Sequence, residues 1–413
     1  MFKRVWVSMG SFSITGAAII LPDRVIERGT LRVDDGQITA IEEGGISSLT
    51  DQAATFDASG AYLMPGVIDL HNDNLEFEVN PRPRANLPVP FALSNMERRL
   101  AGAGVTTEFH AITFMNRPEK QRSVVDAIAK SEYIASIQDG PQRAVRHEIL
   151  HRLDVRSPEA LDSALESINR MHIRYASLND HAPGQGQYRD IERLIALAHA
   201  DAERKGMEKT PEQWYHDRMA RAQADTETVP AFYARVELES ELNRIMLSTH
   251  DDDTVEKVDA QVAIGATVSE FPVTIEAAER AREKGMTIIV GAPNIMRGGS
   301  QSGNLAASEL VDADLADAIC ADYHAPSLIP AAFRVYNEGK RDLPAAIRMV
   351  TDAPARALGL DRLGAIKVGN IADLALIRVD ATGVPHVQST WIAGRQSFSF
   401  PFAEEIAALT IAD

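Results

Sequence analysis

One cysteine in 413 residues, Cys320, rules out an internal disulfide framework and any metal site built from several thiolates. It stands in the apolar run Ala318-Ile319-Cys320-Ala321, which fits a small buried hydrophobe in a reducing compartment. Positive charge is also short: 42 Lys and Arg against 59 Asp and Glu leave a formal net charge of −17. So acidic a chain has no general face for nucleic acid, and an anionic ligand must be held by local donors against an unfavourable field. Long apolar runs are missing too. The stretch from Val5 to Leu21, after Lys3 and Arg4, is diluted by Ser8, Gly10, Ser11, Ser13, Thr15 and Gly16, and Pro22-Asp23 is no cleavage site. Nothing approaches the ~18 apolar residues of a membrane span. The expectation is a cytoplasmic protein with no membrane partner. There is no solenoid repeat, no low-complexity tract, and no Gly-x-Gly-x-x-Gly after the first strand of the central region, so the dinucleotide fingerprint is lacking.

What remains has an ordinary globular composition, 45% hydrophobic and 24% charged, with length for one large domain or two to three smaller ones. Both ends read as short strands: Phe2 to Val7, Ser13 to Ile20, Arg24 to Val33, Ile38 to Ile41 and Ala54 to Asp57, then Gly364 to Val368, Ala372 to Val379, Val384 to Ala393 and Arg395 to Phe398. Between them, apolar runs beginning at Gly66, Val105, His147, Arg174, Arg244, Ala266, Met286 and Ala318 alternate with helical patterns such as Pro158–Arg170, Ile191–Lys205, Thr274–Lys284 and Ala306–Leu315. Eight such units predict an α/β fold, a (β/α)8 TIM-like barrel over 65–364, with a small β-sandwich domain built from 1–64 plus 365–413. A doubly wound open sheet is the rival. Residues 204–240 read as a helical excursion.

Ionisable residues gather where these strands end, the edge on which barrel enzymes place their chemistry. The ends carry Asp69-Leu70-His71-Asn72-Asp73-Asn74, Glu108-Phe109-His110, Asp154, Asn179-Asp180-His181, His250-Asp251-Asp252-Asp253, Glu270 and Asp322. Imidazoles with carboxylates and no thiolate suit zinc or a similar divalent ion, with Mn, Fe or Co as alternatives. His71 and Asp73, two apart, face the same side of a strand that extends through both, and can chelate one ion. Asp154, His181 and His250 can supply a second, and Asp322 can bind metal and take a proton from water activated by it. A mouth of mutually satisfied polar groups is the plainer alternative.

The segment Gly291 to Asn304 follows the seventh strand and enters a helix expected near Leu305. Asn294, Arg297, Gly298, Gly299, Ser300, Ser302 and Asn304 offer backbone and side-chain donors, with a helix N-terminus behind them to favour an anion. Arg82 and Arg84, stiffened by Pro81 and Pro83, can make a second clamp. A flexible Gly/Ser loop and ordinary surface charge are the competing explanations. From the residues alone the reading is a two-metal hydrolase of a small phosphorylated substrate.

The motifs also resemble a known family. Met64-Pro65-Gly66-Val67-Ile68-Asp69-Leu70-His71 and Gly369-Asn370-Ile371-Ala372-Asp373-Leu374 resemble the amidohydrolase superfamily. Within it, His71-Asn72-Asp73-Asn74-Leu75-Glu76, Pro81-Arg82-Pro83, Ser177 to Gln185, Ser248 to Asp252, Glu270-Phe271-Pro272, Gly291 to Asn304 and Ala321-Asp322-Tyr323 resemble the PhnM family of carbon–phosphorus lyase pathways. The resemblance implies hydrolysis of α-D-ribose 1-methylphosphonate 5-triphosphate to the 5-phosphate and pyrophosphate. It makes His71, Asp73, His181 and His250 metal ligands, Asp322 ligand and general base, and the Gly/Ser segment with Arg297 the anion holder. It makes a homodimer or homotetramer the expected assembly. The chain departs from the family pattern at Asn72, usually Thr; at His110, usually acidic; at Asp154, usually Glu; and at Gln301, usually His. A deaminase or cyclic amide hydrolase on the same scaffold is the alternative; a non-catalytic homologue is disfavoured because the ligand residues survive.

Overall fold

The structure, a computed structural model, describes residues 10–44, 54–82, 85–116, 122–138, 143–180, 182–196, 199, 210–224, 226–242, 245–300 and 303–401. The strand expected at 2–7, His181, Arg84, Gln301 and Ser302 lie outside them, as does the last part of the helix expected over 191–205.

Both ends of the chain supply one largely antiparallel sheet. Its strands are β1 (Phe12–Ile20), β2 (Val25–Asp34), β3 (Gln37–Glu43), β4 (Ala54–Asp57) and β5 (Tyr62–Pro65), with three more from the far end of the chain. Their order is 16-15-14-5-1-2-3, with β4 beside β1. Alternation drives it: Ile14, Ile19, Leu31, Val33, Leu63, Leu374 and Trp391 all point into one core. Asp35 and Gly36 join β2 to β3 with positive φ at both, 49° and 76°, the backbone of a type I′ hairpin. Gly36 is required twice over, since a Cβ there would stand 2.7 Å from the Ala393 carbonyl oxygen.

The central region forms the parallel sheet that the alternation predicts. Its strands are β6 (Val67–Asn72), β7 (Val105–Phe114), β8 (Arg146–Asp154), β9 (Tyr175–Asn179), β10 (Met246–His250), β11 (Ala266–Glu270), β12 (Thr287–Gly291) and β13 (Ala318–Cys320), in chain order across the sheet. The far strands of the antiparallel sheet follow as β14 (Leu374–Val379), β15 (Pro385–Ile392) and β16 (Arg395–Ser399). β7 is buried at every position, as a parallel strand covered on both faces must be. Asn72 bridges Asp322 just past β13, so the last strand meets the first and the sheet is a TIM-like barrel. Helices beyond the strand ends start from side-chain caps: Thr254 accepts from Lys257 N and Thr274 from Ala277 N, both at 3.2 Å. Within 204–240 the described helices are Pro211–Ala224, the short 3-10 helix Thr226–Thr228 and all but the last residue of Val229–Glu241.

By packing, the chain divides into two compact units: Met1–His110 with Ser136–Glu148 and Ala318–Asp413, and Ala111–Ala135 with Ile149–Asp317. The first holds the antiparallel sheet, β6 and β13; the second holds β9 to β12.

Candidate active site

In the first unit the site is built where β6 stops. Asp69 is fully buried, and its Oδ1 accepts from Ala321 N at 2.8 Å and His71 N at 3.3 Å. Asn72 donates through Nδ2 to Asp69 Oδ2 at 3.4 Å, and its Oδ1 takes the Asn74 N–H at 2.9 Å. That second bond turns the chain out of the strand. The extended geometry expected through His71 and Asp73 is therefore corrected: β6 ends at Asn72, its register slips between Asp69 and Asn72, and Asp73 (φ −78°, ψ −7°) stands at the N-cap position of the helix Asn74–Val79. The turn still brings Asp73 Oδ1 to 3.6 Å from His71 Nε2.

Asp322 completes the group from β13. It holds a left-handed backbone, φ +56°, uncommon for a non-glycine residue. Its N–H donates to His71 O at 2.9 Å and its carbonyl accepts from Asp73 N at 2.8 Å. Ligand atoms of His71, Asp73 and Asp322 lie within 4.8 Å of one another. One imidazole and two carboxylates, with no cysteine, fit a divalent ion such as zinc or manganese.

Beneath this group lies a buried acid pair. β6 and β7 place Asp69 opposite Glu108, both fully buried. Burial, opposed by the Ala321 N–H, raises the Asp69 carboxyl to about 6. Burial and then the Asp69 charge raise Glu108 well above the usual carboxylate range. Burial and the neighbouring charge both favour a pair that shares a proton over one that carries two charges.

The second unit carries a different network. Arg152, buried in β8, donates to Asn179 Oδ1 through Nη2 at 3.0 Å and Nε at 3.3 Å, and its Nη2 lies 3.4 Å from His250 Nε2. His250 Nδ1 lies 2.9 Å from Asp251 Oδ2. Glu270, fully buried, accepts from Tyr175 Oη at 2.8 Å and Ser177 Oγ at 2.9 Å. Asp154 Oδ1 accepts from Arg156 N at 3.0 Å, a local turn. Asp180 would be raised by burial, but Arg156, bound through both carboxylate oxygens at 2.7 and 2.9 Å, holds it below the ordinary range. Arg152 was not singled out in the sequence, because an Arg inside an apolar run carries no spacing signal of its own.

The Gly/Ser segment departs from expectation. Its first half is a helix, Ala292–Arg297, closed by Gly298 at φ +72°. Gly298 N donates to Asn294 O and Ile295 O, and Gly299 N to Asn294 O, at 3.1 to 3.2 Å. These amides terminate a helix, so they are not turned to an anion. The next helix begins at Ala307, within two residues of the start expected, and the Glu309 carboxylate already accepts from Ala306 N at 2.9 Å. Asn294 Oδ1 accepts from Ala307 N, and Asn304 donates to Gln187 O at 3.2 Å, so both asparagines hold the segment in place. Arg297 and Arg82 are exposed, with Arg297 in the last turn of its helix, where a cation complements the dipole.

A barrel with such a donor set defines a class, and comparisons place the chain in it. Residues 220–397 match the amidohydrolase family. The chain is 32% identical over 397 residues to α-D-ribose 1-methylphosphonate 5-triphosphate diphosphatase of Escherichia coli (strain K12), covering 93% of this chain and all of that one. Among solved structures, N-acetylglucosamine-6-phosphate deacetylase from Pasteurella multocida is similar at 14% identity and TM-score 0.57, over 94% of this chain and 99% of that one. A beta-aspartyl dipeptidase from Fervidobacterium islandicum AW-1 is similar at 14% identity and TM-score 0.60, over 94% and 97%. These two likenesses establish fold alone. The chain belongs to the amidohydrolase superfamily and, within it, to the PhnM family, and it is a hydrolase.

No helix among the described residues is long and apolar enough to cross a membrane.

Proposed function

We propose that the chain hydrolyses a phosphoanhydride of α-D-ribose 1-methylphosphonate 5-triphosphate, giving the 5-phosphate and pyrophosphate, in the cytoplasm and as a homo-oligomer. The observation that carries the reading is the full-length match to a diphosphatase of that substrate, joined to the His71, Asp73 and Asp322 group.

His71, Asp73 and Asp322 would hold a divalent ion, most simply zinc, with Asp154, His181 and His250 as further ligands. When bound, such an ion lowers the pKa of water and polarises a phosphoryl oxygen. Asp322 accepts the proton of the attacking water on a carboxylate oxygen; its fixed backbone, bonded on both sides to the β6 end, keeps that oxygen in place. Asp69 anchors the His71 and Ala321 amides, holding the two strand ends in register. Arg297, Arg82, Arg84, Ser300 and Ser302 supply the donors for the phosphate and phosphonate groups, a local answer to the net charge of −17.

Phosphorus NMR tests the reading. Protein loaded with Zn, Mn or Co and incubated with the triphosphate should release pyrophosphate, and His250→Asn should abolish the release. An unchanged spectrum with all three metals overturns it, and turnover of an amide or amidine instead would assign the C–N hydrolase alternative.

A further inference from the structure

An acidic chain needs a local cation to hold a phosphorylated substrate, and the Gly298 and Gly299 amides are spent on a helix end. Arg297 and Arg82 are exposed. The most buried arginine among the described residues is a different one, Arg152, 6% exposed.

The pleat of β8 fixes where Arg152 points. Its neighbour His151 lies 2.9 Å through Nε2 from Ser167 Oγ on the helix Leu161–Arg170, so His151 is on the outer, helix-covered face of the sheet. Successive side chains alternate, which sets Arg152 on the inner face. Its register partner on β9 is Ser177. Ser177 Oγ and Tyr175 Oη both pass β10 to reach Glu270 on β11, a span open only across the concave side of a closing sheet. Along the strand, Arg152 stands two residues before the end of β8. The groups its guanidinium meets belong to the last residues of β9 and β10, Asn179 and His250. The charge is therefore inside the barrel and at the edge where barrels carry out their chemistry.

The two contacts are oriented by their own neighbours. Asn179 Nδ2 donates to Ser177 O at 2.9 Å, which turns Oδ1 to the guanidinium. Asp251 Oδ2, 2.9 Å from His250 Nδ1, favours the imidazole proton on that nitrogen, and the guanidinium favours a lone pair on Nε2. Arg152 Nη2 faces that lone pair at 3.4 Å, long for a hydrogen bond. A guanidinium stays charged at any working pH, and its planar fork suits a pair of phosphate oxygens better than one imidazole nitrogen. The His250 contact is the one that a better acceptor displaces.

We propose that Arg152 is a substrate-binding residue: its guanidinium exchanges His250 Nε2 for oxygens of the substrate's polyphosphate, and the exchange uncovers the lone pair through which His250 would hold the ion. The inference rests on the phosphorylated-substrate reading above. It makes anion and ion binding favour each other, because one side chain stands between them in the free protein.

Side-chain nitrogen-15 spectra of the metal-free full chain, titrated with sodium pyrophosphate, test the exchange without turnover. The Arg152 Nε resonance, assigned with Arg152→Lys, and the His250 Nε2 resonance, assigned with His250→Asn, should move together and saturate. Sodium chloride at matched ionic strength should leave both in place. Wild-type resonances that stay put with pyrophosphate overturn the proposal, however any variant folds. Calorimetry on the same metal-free protein gives the second test. Arg152→Met should weaken pyrophosphate binding about 10-fold or more, the worth of a hydrogen bond to a charged group. Arg152→Lys, which keeps the charge and loses the fork, should weaken it by a smaller factor. Equal affinity in wild type and a folded Arg152→Met, judged by thermal melts, overturns the contact. Pyrophosphate held by Arg152 with no turnover of the ribose triphosphate would leave the anion site standing and overturn the substrate reading. Turnover with an unmoved Arg152 would do the reverse.

Discussion

Asp69 and Glu108 face each other across β6 and β7, fully buried, with too little solvation between them to carry two charges. Both pKa values are raised, so the folded state holds protons that the unfolded chain has released. The stability they contribute is complete below the ordinary carboxylate range. For Asp69 it is lost as pH rises from near 3.8 through about 6. Glu108→Gln replaces the retained proton with a permanent neutral group and relieves Asp69. Its stability should gain on the wild type between pH 4 and 7, by a few kcal/mol at most. Urea titrations of both proteins across that range check it; parallel curves would refute the shared-proton picture.

Arg152 places a fixed positive charge against His250 Nε2. A ligand role for His250 through Nε2 therefore requires the guanidinium to give way. Arg152→Met should bind Zn or Mn more tightly than the wild type by calorimetry. It should also lose ~2 kcal/mol in the metal-free form, because Asn179 Oδ1 loses two donors. Unchanged affinity would exclude His250 Nε2 as a ligand atom.

Asp73 meets His71 from the start of a helix rather than along a strand. Asp73→Asn keeps the size and the turn but removes the charge. Bound metal per chain, measured by plasma emission after dialysis, should fall roughly 10-fold or more, with the melting temperature of the metal-free protein little changed. Retention of full metal content would show that the ion is held elsewhere.

Gly36 sits at φ +76° with the Ala393 carbonyl where its Cβ would be. Gly36→Ala should cost about 2 kcal/mol or more, since backbone cannot move aside as a side chain does. Gly299→Ala, where nothing lies within 4 Å of the added carbon and φ is not positive, serves as the control and should cost less. Thermal melts compare the two.

Much of this molecule is legible from the order of its residues. Alternating apolar runs set every strand from β6 to β13 to within a few residues, since burial on both faces leaves a continuous apolar signature. Clustering of His and Asp at the ends of those runs pointed to the candidate site, because parallel strands deliver their C-terminal ends to one edge. The motif at His71 and the return at Gly369 identified the family. What sequence order could not decide were directions set by single hydrogen bonds. The Asn72 bond to Asn74 N ends β6 at Asn72 and brings in Asp73 by a turn. The Gly298 and Gly299 amides close a helix because φ +72° at Gly298 allows it. The contacts of Arg152 with Asn179 and His250 join three strands across 27 and 98 residues, distances over which no local spacing rule operates. Local pattern is a property of neighbours along the chain; proton positions and lone pairs depend on neighbours in space, and only folding supplies those.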